Sequence, residues 1–297
     1  MPVFELAALG AAFCWALSSV MTPGPVAHLG AYAFTRIRMT MMLAPLAIWV
    51  LTTGSWTTIS PDLLMPILLS GAIGIFLGDT ALFMTMARLG PRRTSILFST
   101  NAPMAVVLGW LLLDEALTGR ELIGIGLISA GVVLAIVFGK RRSQLHQWES
   151  VKGSLWVGVA IGLLSAFSQA VGSLIARPVM EAGADPIAVS LVRVAIAVAC
   201  FHIALLAPMQ MMRQQAPLNT PVALNTFFSG LLAMAIGMSL LLFALSGGEV
   251  GIVTTLSATT PALLLPLIWI RTGERPAVAA WIGAALVIAG SWQLFAS

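Results

Sequence analysis

The chain has 297 residues, of which 59% are hydrophobic and only 9% charged, and its formal net charge is +4. A soluble domain averages about 45–50% apolar and about 25% charged residues, so this composition excludes disorder, a coiled coil, a disulfide scaffold and an ordinary soluble enzyme. A mean hydropathy of +0.99 is that of a polytopic membrane protein, and ten spans of about 20 residues would fill roughly two-thirds of the chain.

Apolar runs separated by Gly, Pro or charge predict ten helices, over residues 3–22, 30–53, 63–87, 93–113, 119–138, 153–175, 187–207, 222–245, 250–270 and 276–295. Each is read as a helix, because lipid gives the backbone no partner outside a helix or a closed barrel, and these runs are twice the length of a barrel strand. The first run lacks a basic leader and reads as a retained span, not a signal peptide. Cys14 and Cys200 lie within apolar runs and read as packing residues. The longest polar stretch, GKRRSQLHQWESVK, ends at Lys152. It divides the chain into a first half (1–139), a linker (140–152) and a second half (153–297).

The halves resemble each other. Ala12-Phe13-Cys14-Trp15-Ala16 aligns with Ala166-Phe167-Ser168-Gln169-Ala170, Arg38 with Arg193, Ser70-Gly71 with Ser229-Gly230, and Gly78 with Gly237. Ser99 and Pro103 align with Ser257 and Pro261, Glu115 with Glu274, and Gly124 to Gly131 with Gly283 to Gly290. A colinear series at a nearly fixed offset indicates an internal duplication. A repeat of five spans is odd-numbered, so the second copy enters the membrane from the opposite side. The fold expected is therefore an all-α polytopic membrane protein of ten transmembrane helices in two inverted five-helix repeats, an architecture of secondary transporters.

Charge sets the expected orientation. With ten spans both termini share one side, which holds Arg120 and Arg177; Arg88, Arg92, Arg93, Lys140, Arg141, Arg142, Lys152, Arg213, Arg271 and Arg275 fall on the other. The positive-inside rule puts the linker in the cytoplasm. Topology thus accounts for the basic balance, and no nucleic-acid partner is expected.

Specific stretches also resemble a known family. AFCWALSS in span one, PMAVVLGWLLLDE from Pro103 to Glu115, and ELIGIGLISAGVVL in span five resemble the first EamA repeat, and PALLLPLIWIRTGE with WIGAALVIAGSWQL resembles its second copy. The whole chain is similar to the ten-helix EamA branch of the drug/metabolite transporter superfamily. Where that family usually has Trp-Gly in span one, this chain has Trp15-Ala16, and Gln169-Ala170 in the copy. The resemblance implies an exporter of amino acids or related small metabolites in the bacterial inner membrane, with a central cavity between the two halves.

Candidate residues follow from chemistry inside the spans. Spans four and nine each carry a polar run before a proline, Ser99-Thr100-Asn101-Ala102-Pro103 and Ser257-Ala258-Thr259-Thr260-Pro261. A proline inside a helix frees the carbonyl four residues back, here Ser99 and Ser257, and paired interrupted helices point to a transport site. Ser99, Asn101, Ser257 and Thr259 either line the cavity or satisfy carbonyls at a kink. Asp79 is the acid deep in a span, nine residues before Arg88, roughly 13 Å of helix rise. Such an acid costs about 2.5–3.5 kcal/mol on insertion scales and needs a partner or water. Its alternatives are proton coupling, anchoring a substrate ammonium, or a fixed ion pair with Arg38 or Arg36. Arg38 and Arg193 either clamp a substrate carboxylate or bond carbonyls as scaffold.

Trp15 and Ser19 share one helix face, as do Gln169 and Ser173, and are read either as cavity walls or as packing. Glu115 and Glu274 precede spans five and ten and read as structural acids at helix N-termini, and His202 as a packing residue. Gly74-xxx-Gly78 and Gly158-xxx-Gly162 permit close helix approach. No metalloprotease, nucleophile-elbow or nucleotide-loop signature occurs. The expected activity is secondary transport of a small molecule without a cofactor or metal, with protons as the candidate coupling ion. Export of hydrophobic or cationic drugs is the runner-up, and an intramembrane enzyme, which would need a second catalytic group beside Asp79, and a non-transporting sensor or scaffold are the rival classes.

Overall fold

A computed structural model describes residues 3–113, 118–138, 151–207, 210–245, 256–257 and 259–295. Glu115, most of the linker and the start of the span expected over 250–270 lie outside these residues. Among the described residues every regular element is helical. In the first half these are α1 (Val3–Met21), α2 (Pro23–Leu29), α3 (Ala31–Thr53), α4 (Pro61–Ser70), α5 (Gly78–Phe98), α6 (Asn101–Leu113) and α7 (Gly119–Val137). In the second half they are α8 (Leu155–Glu181), α9 (Pro186–Ala204), α10 (Thr220–Gly230), α11 (Met238–Leu245), α12 (Thr260–Thr272) and α13 (Val278–Phe295).

Among the described residues six helices are long and apolar enough to cross a membrane: Val3–Met21, Ala31–Thr53, Pro61–Phe98, Leu155–Glu181, Pro186–Ala204 and Thr220–Ala244. Asn101–Leu111, Leu122–Leu134, Thr260–Thr272 and Val278–Gln293 are shorter apolar helices. Starts are marked by polar caps and proline. The Asp185 carboxylate accepts from the Ile187 and Ala188 amides (3.0 and 2.9 Å) ahead of α9, and Asn219 Oδ1 accepts from Val222 N at 3.0 Å in α10. Each cap takes up amides that a helix start leaves without an intrahelical partner.

The two copies interlock. α8, the first long helix of the second copy, packs on α4 and α5, while α1 packs on α10 and α11. Small residues make this close approach possible. A Cβ on Gly172 would stand 2.8 Å from Gly74 Cα, and one on Gly158 or Gly162 would meet the side chains of Leu89 or Leu97 at 2.7 and 2.8 Å. α7 packs on α13 with a reciprocal contact. A Cβ on Gly131 would meet the Gly283 carbonyl, and one on Gly290 the Gly124 carbonyl, each at 2.7 Å. The aligned Gly124–Gly131 and Gly283–Gly290 stretches are thus each other's packing surface.

Two features differ from the sequence reading. First, α4 and α5 are joined by a π-helical stretch, Gly71–Leu77, and α10 and α11 by another, Leu231–Gly237. Second, Pro103 and Pro261 do not kink helices. They sit in the first turns of α6 and α12, where the missing N–H has no intrahelical role. The chain instead turns at Gly90 (φ 79°, ψ 169°), ahead of Pro91, a conformation open essentially only to glycine. It breaks again at Ser99-Thr100 before α6 starts. The Ser99 carbonyl is not left free, because it accepts from Ala102 N at 3.4 Å.

Candidate functional site

The interlocked helices enclose a cavity of about 140 Å³ whose walls come from both copies. α1 contributes Trp15, Ser18, Ser19 and Thr22; α3 contributes Arg38; α5 contributes Asp79; α8 contributes Gln169. Ser99, Asn101 and Ser257 also line it. Of the cavity candidates singled out from sequence, Ser173, Thr259 and Arg193 are outside this wall. The Thr259 hydroxyl turns back on the Leu256 carbonyl at 2.7 Å. Sequence reasoning missed most of the apolar side chains of the wall, which include Phe83, Met86, Phe98, Met234 and Met238. Aromatic and Met side chains facing a cavity have the same pattern as those facing lipid, so no sequence signal separated them.

Most polar groups of the wall are already engaged by backbone. Ser19 Oγ donates to the Trp15 carbonyl (2.8 Å), Ser99 Oγ to the Ser95 carbonyl (3.0 Å), and Asn101 Nδ2 to the Phe98 carbonyl (2.8 Å). Trp15 Nε1 donates across the copies to the Ala233 carbonyl at 3.0 Å, inside the second π-helical stretch. A π-turn disturbs the ordinary ladder of backbone bonds, and here a side chain of the other copy accompanies the disturbance. Ser165 Oγ likewise donates to the Gly78 carbonyl (2.8 Å), and Ser70 Oγ to the Gly172 carbonyl (2.6 Å).

Two cavity groups differ. No Arg, Lys or His nitrogen of a described residue comes within 4.0 Å of the Asp79 carboxylate, and no hydrogen bond is made to it. The Gln169 amide also makes no hydrogen bond to a described residue. The expected direct ion pair of Asp79 with Arg38 or Arg36 is therefore not formed. The physical reason is that Arg38 is committed elsewhere. Its Nη2 donates to Ser18 Oγ (3.3 Å) and to the Ser229 carbonyl (3.1 Å). Its Cζ lies 5.0 Å from the Phe83 ring centroid and 5.9 Å from that of Phe34, within cation–π range. Arg38 is 2% exposed, so its charge is buried but well surrounded.

Arg193 occupies the aligned position on α9 and is also 2% exposed. Its surroundings are poorer. Nη1 has only Met238 Sδ at 4.0 Å, and Nε and Nη2 have no hydrogen-bond partner. Gly74 leaves room for this guanidinium, since a Cβ there would stand 3.1 Å from Nη2. A half-buried acid on the cavity wall, in direct contact with neither guanidinium, is available to a proton or to a ligand cation. Among the described residues no second acid joins it, so the two-carboxylate arrangement of a hydrolase is not assembled there. Glu274 stands in the turn between α12 and α13, away from this wall.

The EamA-like transporter family profile matches the chain twice, over residues 3–137 and 156–296, the two copies whose interlocking is described above. A solved crystal structure superposes over 98% of this chain and 95% of its own, with a TM-score of 0.70 at 16% identity, which shows a shared fold. No curated protein sequence matches the chain. With both profile matches falling on the two helical copies, the chain belongs to the EamA-like transporter family and is an integral, multi-pass membrane protein.

Proposed function

We propose that the chain is a secondary transporter of small polar or amphipathic metabolites, with amino acids the leading class, exported across the bacterial inner membrane. On this reading ten helices form two inverted five-helix halves, one from each of the segments 1–139 and 153–297. The linker side is cytoplasmic, and the halves rock about the central cavity to give alternating access. The observation that carries the reading is the Asp79 carboxylate, which faces the cavity without a protein partner while Arg38 lines the same wall. A group of each sign in one cavity suits a zwitterion, with the ammonium at Asp79 and the Gln169 amide as an adaptable donor and acceptor. Asp79 is also the proposed coupling group: a proton and a substrate cation compete for the same oxygens.

A second reading is export of hydrophobic or cationic drugs. It is favoured by Phe83, Phe98, Met86 and Met234 on the wall, because Met and aromatic surfaces accommodate varied apolar shapes. One experiment separates the two. Cells expressing the protein, its Asp79→Asn variant or neither are compared for metabolites in the medium and for resistance to lipophilic cations. A metabolite that accumulates only with the unmodified protein supports the first reading. Resistance without any metabolite supports the second, and neither effect, with expression in the membrane verified, overturns both.

A further inference from the structure

A second concave site lies on the outside of the bundle, away from the cavity. α3 packs on α9, and where the start of α3 meets the end of α9 they leave an open groove of about 380 Å³, lined by Arg36, Ile37, Thr40, Met41 and His202. Arg36 is the sixth residue of α3, about 8 Å along the helix from its start. His202 lies in the last turn of α9. Both therefore lie toward the same end of the two spans, where a long side chain such as that of Arg36 reaches from its backbone position toward the headgroup layer.

The groove holds a cation with nothing to neutralise it. Arg36 makes no hydrogen bond or ion pair to any described residue, and its Nε is fully buried without a partner. A side chain merely snorkelling to water would leave its guanidinium hydrated; this one is tucked partly into the groove. The other polar groups are committed. Thr40 Oγ1 donates to the Arg36 carbonyl (2.9 Å), and His202 Nδ1 is held at 2.8 Å by the Val198 carbonyl, leaving Nε2 as the open nitrogen. Beyond His202, Ile203 is 65% exposed and Leu206 84% exposed, an apolar flank that in a membrane protein faces acyl chains.

We infer that this groove between α3 and α9 binds the phosphodiester of an anionic membrane lipid, with the Arg36 guanidinium as its anion-binding group and Ile203 and Leu206 against the acyl chains. A guanidinium offers planar paired donors that match phosphate oxygens. Basic pockets between helices at the headgroup level are where lipid headgroups dock. The inference does not depend on what the central cavity carries.

Its test is a titration of the full-length purified protein in detergent with phosphatidylglycerol, phosphatidylcholine or inorganic phosphate, following the thermal unfolding midpoint. Phosphatidylglycerol raises the midpoint of the unmodified protein. Its half-effect concentration increases about fivefold in Arg36→Gln, the size expected for one basic residue at an anionic surface. It stays the same in Arg177→Gln, which removes equal charge at the far end of α8. An unchanged curve for Arg36→Gln overturns the proposal. So does equal protection by inorganic phosphate, which would mark a free-anion site, or by phosphatidylcholine, which would mark a purely apolar groove. If Arg36→Gln does not fold, Arg36→Lys decides: the ammonium loses the paired geometry, so its curve shifts in the same direction, and an unshifted curve overturns the proposal.

Discussion

Ser18 gives Arg38 a hydroxyl at 3.3 Å, whereas at the aligned position of the second copy Gly172 has no side chain to give Arg193. The glycine is required there by packing, since any Cβ would run into the backbone of Gly74. Close approach of α8 to the first π-helical stretch thus leaves Arg193 short of donors' partners, while Arg38 keeps a serine, a carbonyl and two rings.

The two arginines are therefore unequal in energy. Removing a buried charge that is hydrogen-bonded is costly, while replacing a poorly paired one by an apolar side chain is often neutral or stabilising. Arg38→Met is expected to lose about 2 kcal/mol, the contribution of a charge-assisted hydrogen bond, and Arg193→Met to change stability little or raise it. Chemical unfolding of both variants in detergent checks this. An equal loss in the two would show that Arg193 is held as firmly as Arg38.

The Asp79 carboxylate makes no hydrogen bond or direct ion pair with a described residue, so neutralising it breaks no contact that holds the fold. Asp79→Asn is expected to unfold at the same temperature as the unmodified protein or higher, while transport loses its dependence on pH. Uptake or efflux assayed in vesicles over a series of pH values gives the readout. A pH profile identical to that of the unmodified protein removes Asp79 from coupling.

Glycines of the α7–α13 contact divide sharply by position. Gly131→Ala puts a methyl 2.7 Å from the Gly283 carbonyl, and Gly126→Ala puts one in open space. Overpacking costs about 1–3 kcal/mol, so Gly131→Ala should lower the thermal midpoint by several degrees and Gly126→Ala should not. Comparable melting curves for the two would mean that α7 and α13 are not held at this distance.

Trp15→Phe keeps a ring against the cavity and removes the N–H that reaches the Ala233 carbonyl. A neutral hydrogen bond contributes about 1 kcal/mol. The expected result is a small loss of stability together with faster hydrogen exchange at the amides of Leu231–Gly237. Exchange accelerated uniformly over the chain, and not in this stretch, would count against a local role for Trp15.

Much of the architecture was legible because a duplicated sequence repeats its constraints. Ser70-Gly71 and Ser229-Gly230 aligned, and in the structure Gly71 packs on the Arg193 backbone as Gly230 packs on the Arg38 side chain. Trp15, Asp79 and Gln169 were likewise open to reasoning from residue type and depth. What escaped was set by geometry between the copies. The pairing of Asp79 depends on whether Arg38 finds Ser18 and Ser229 first, which no spacing within one copy reveals. Pro103 and Pro261 were misread as kinks because a proline after a polar run has the same sequence whether it bends a helix or begins one. The π-helical stretches GAIGIFL and LLAMAIG share no motif that announces the wider turn.

Those two stretches fix the aim of everything that follows them. Each turn of a π-helix takes in more residues than an α-turn, so the segment beyond it arrives rotated about its own axis. Ser70 and Gly71, at the start of the first stretch, face α8 and α9, whereas Asp79, just after it, faces the cavity. Wound as a regular α-helix, the same residues would swing the carboxylate round the cylinder and off the cavity wall. The helix therefore behaves like a shaft with a fixed offset between its two ends, and the bearing of the acid is decided in the seven residues that end at Leu77, two positions before it.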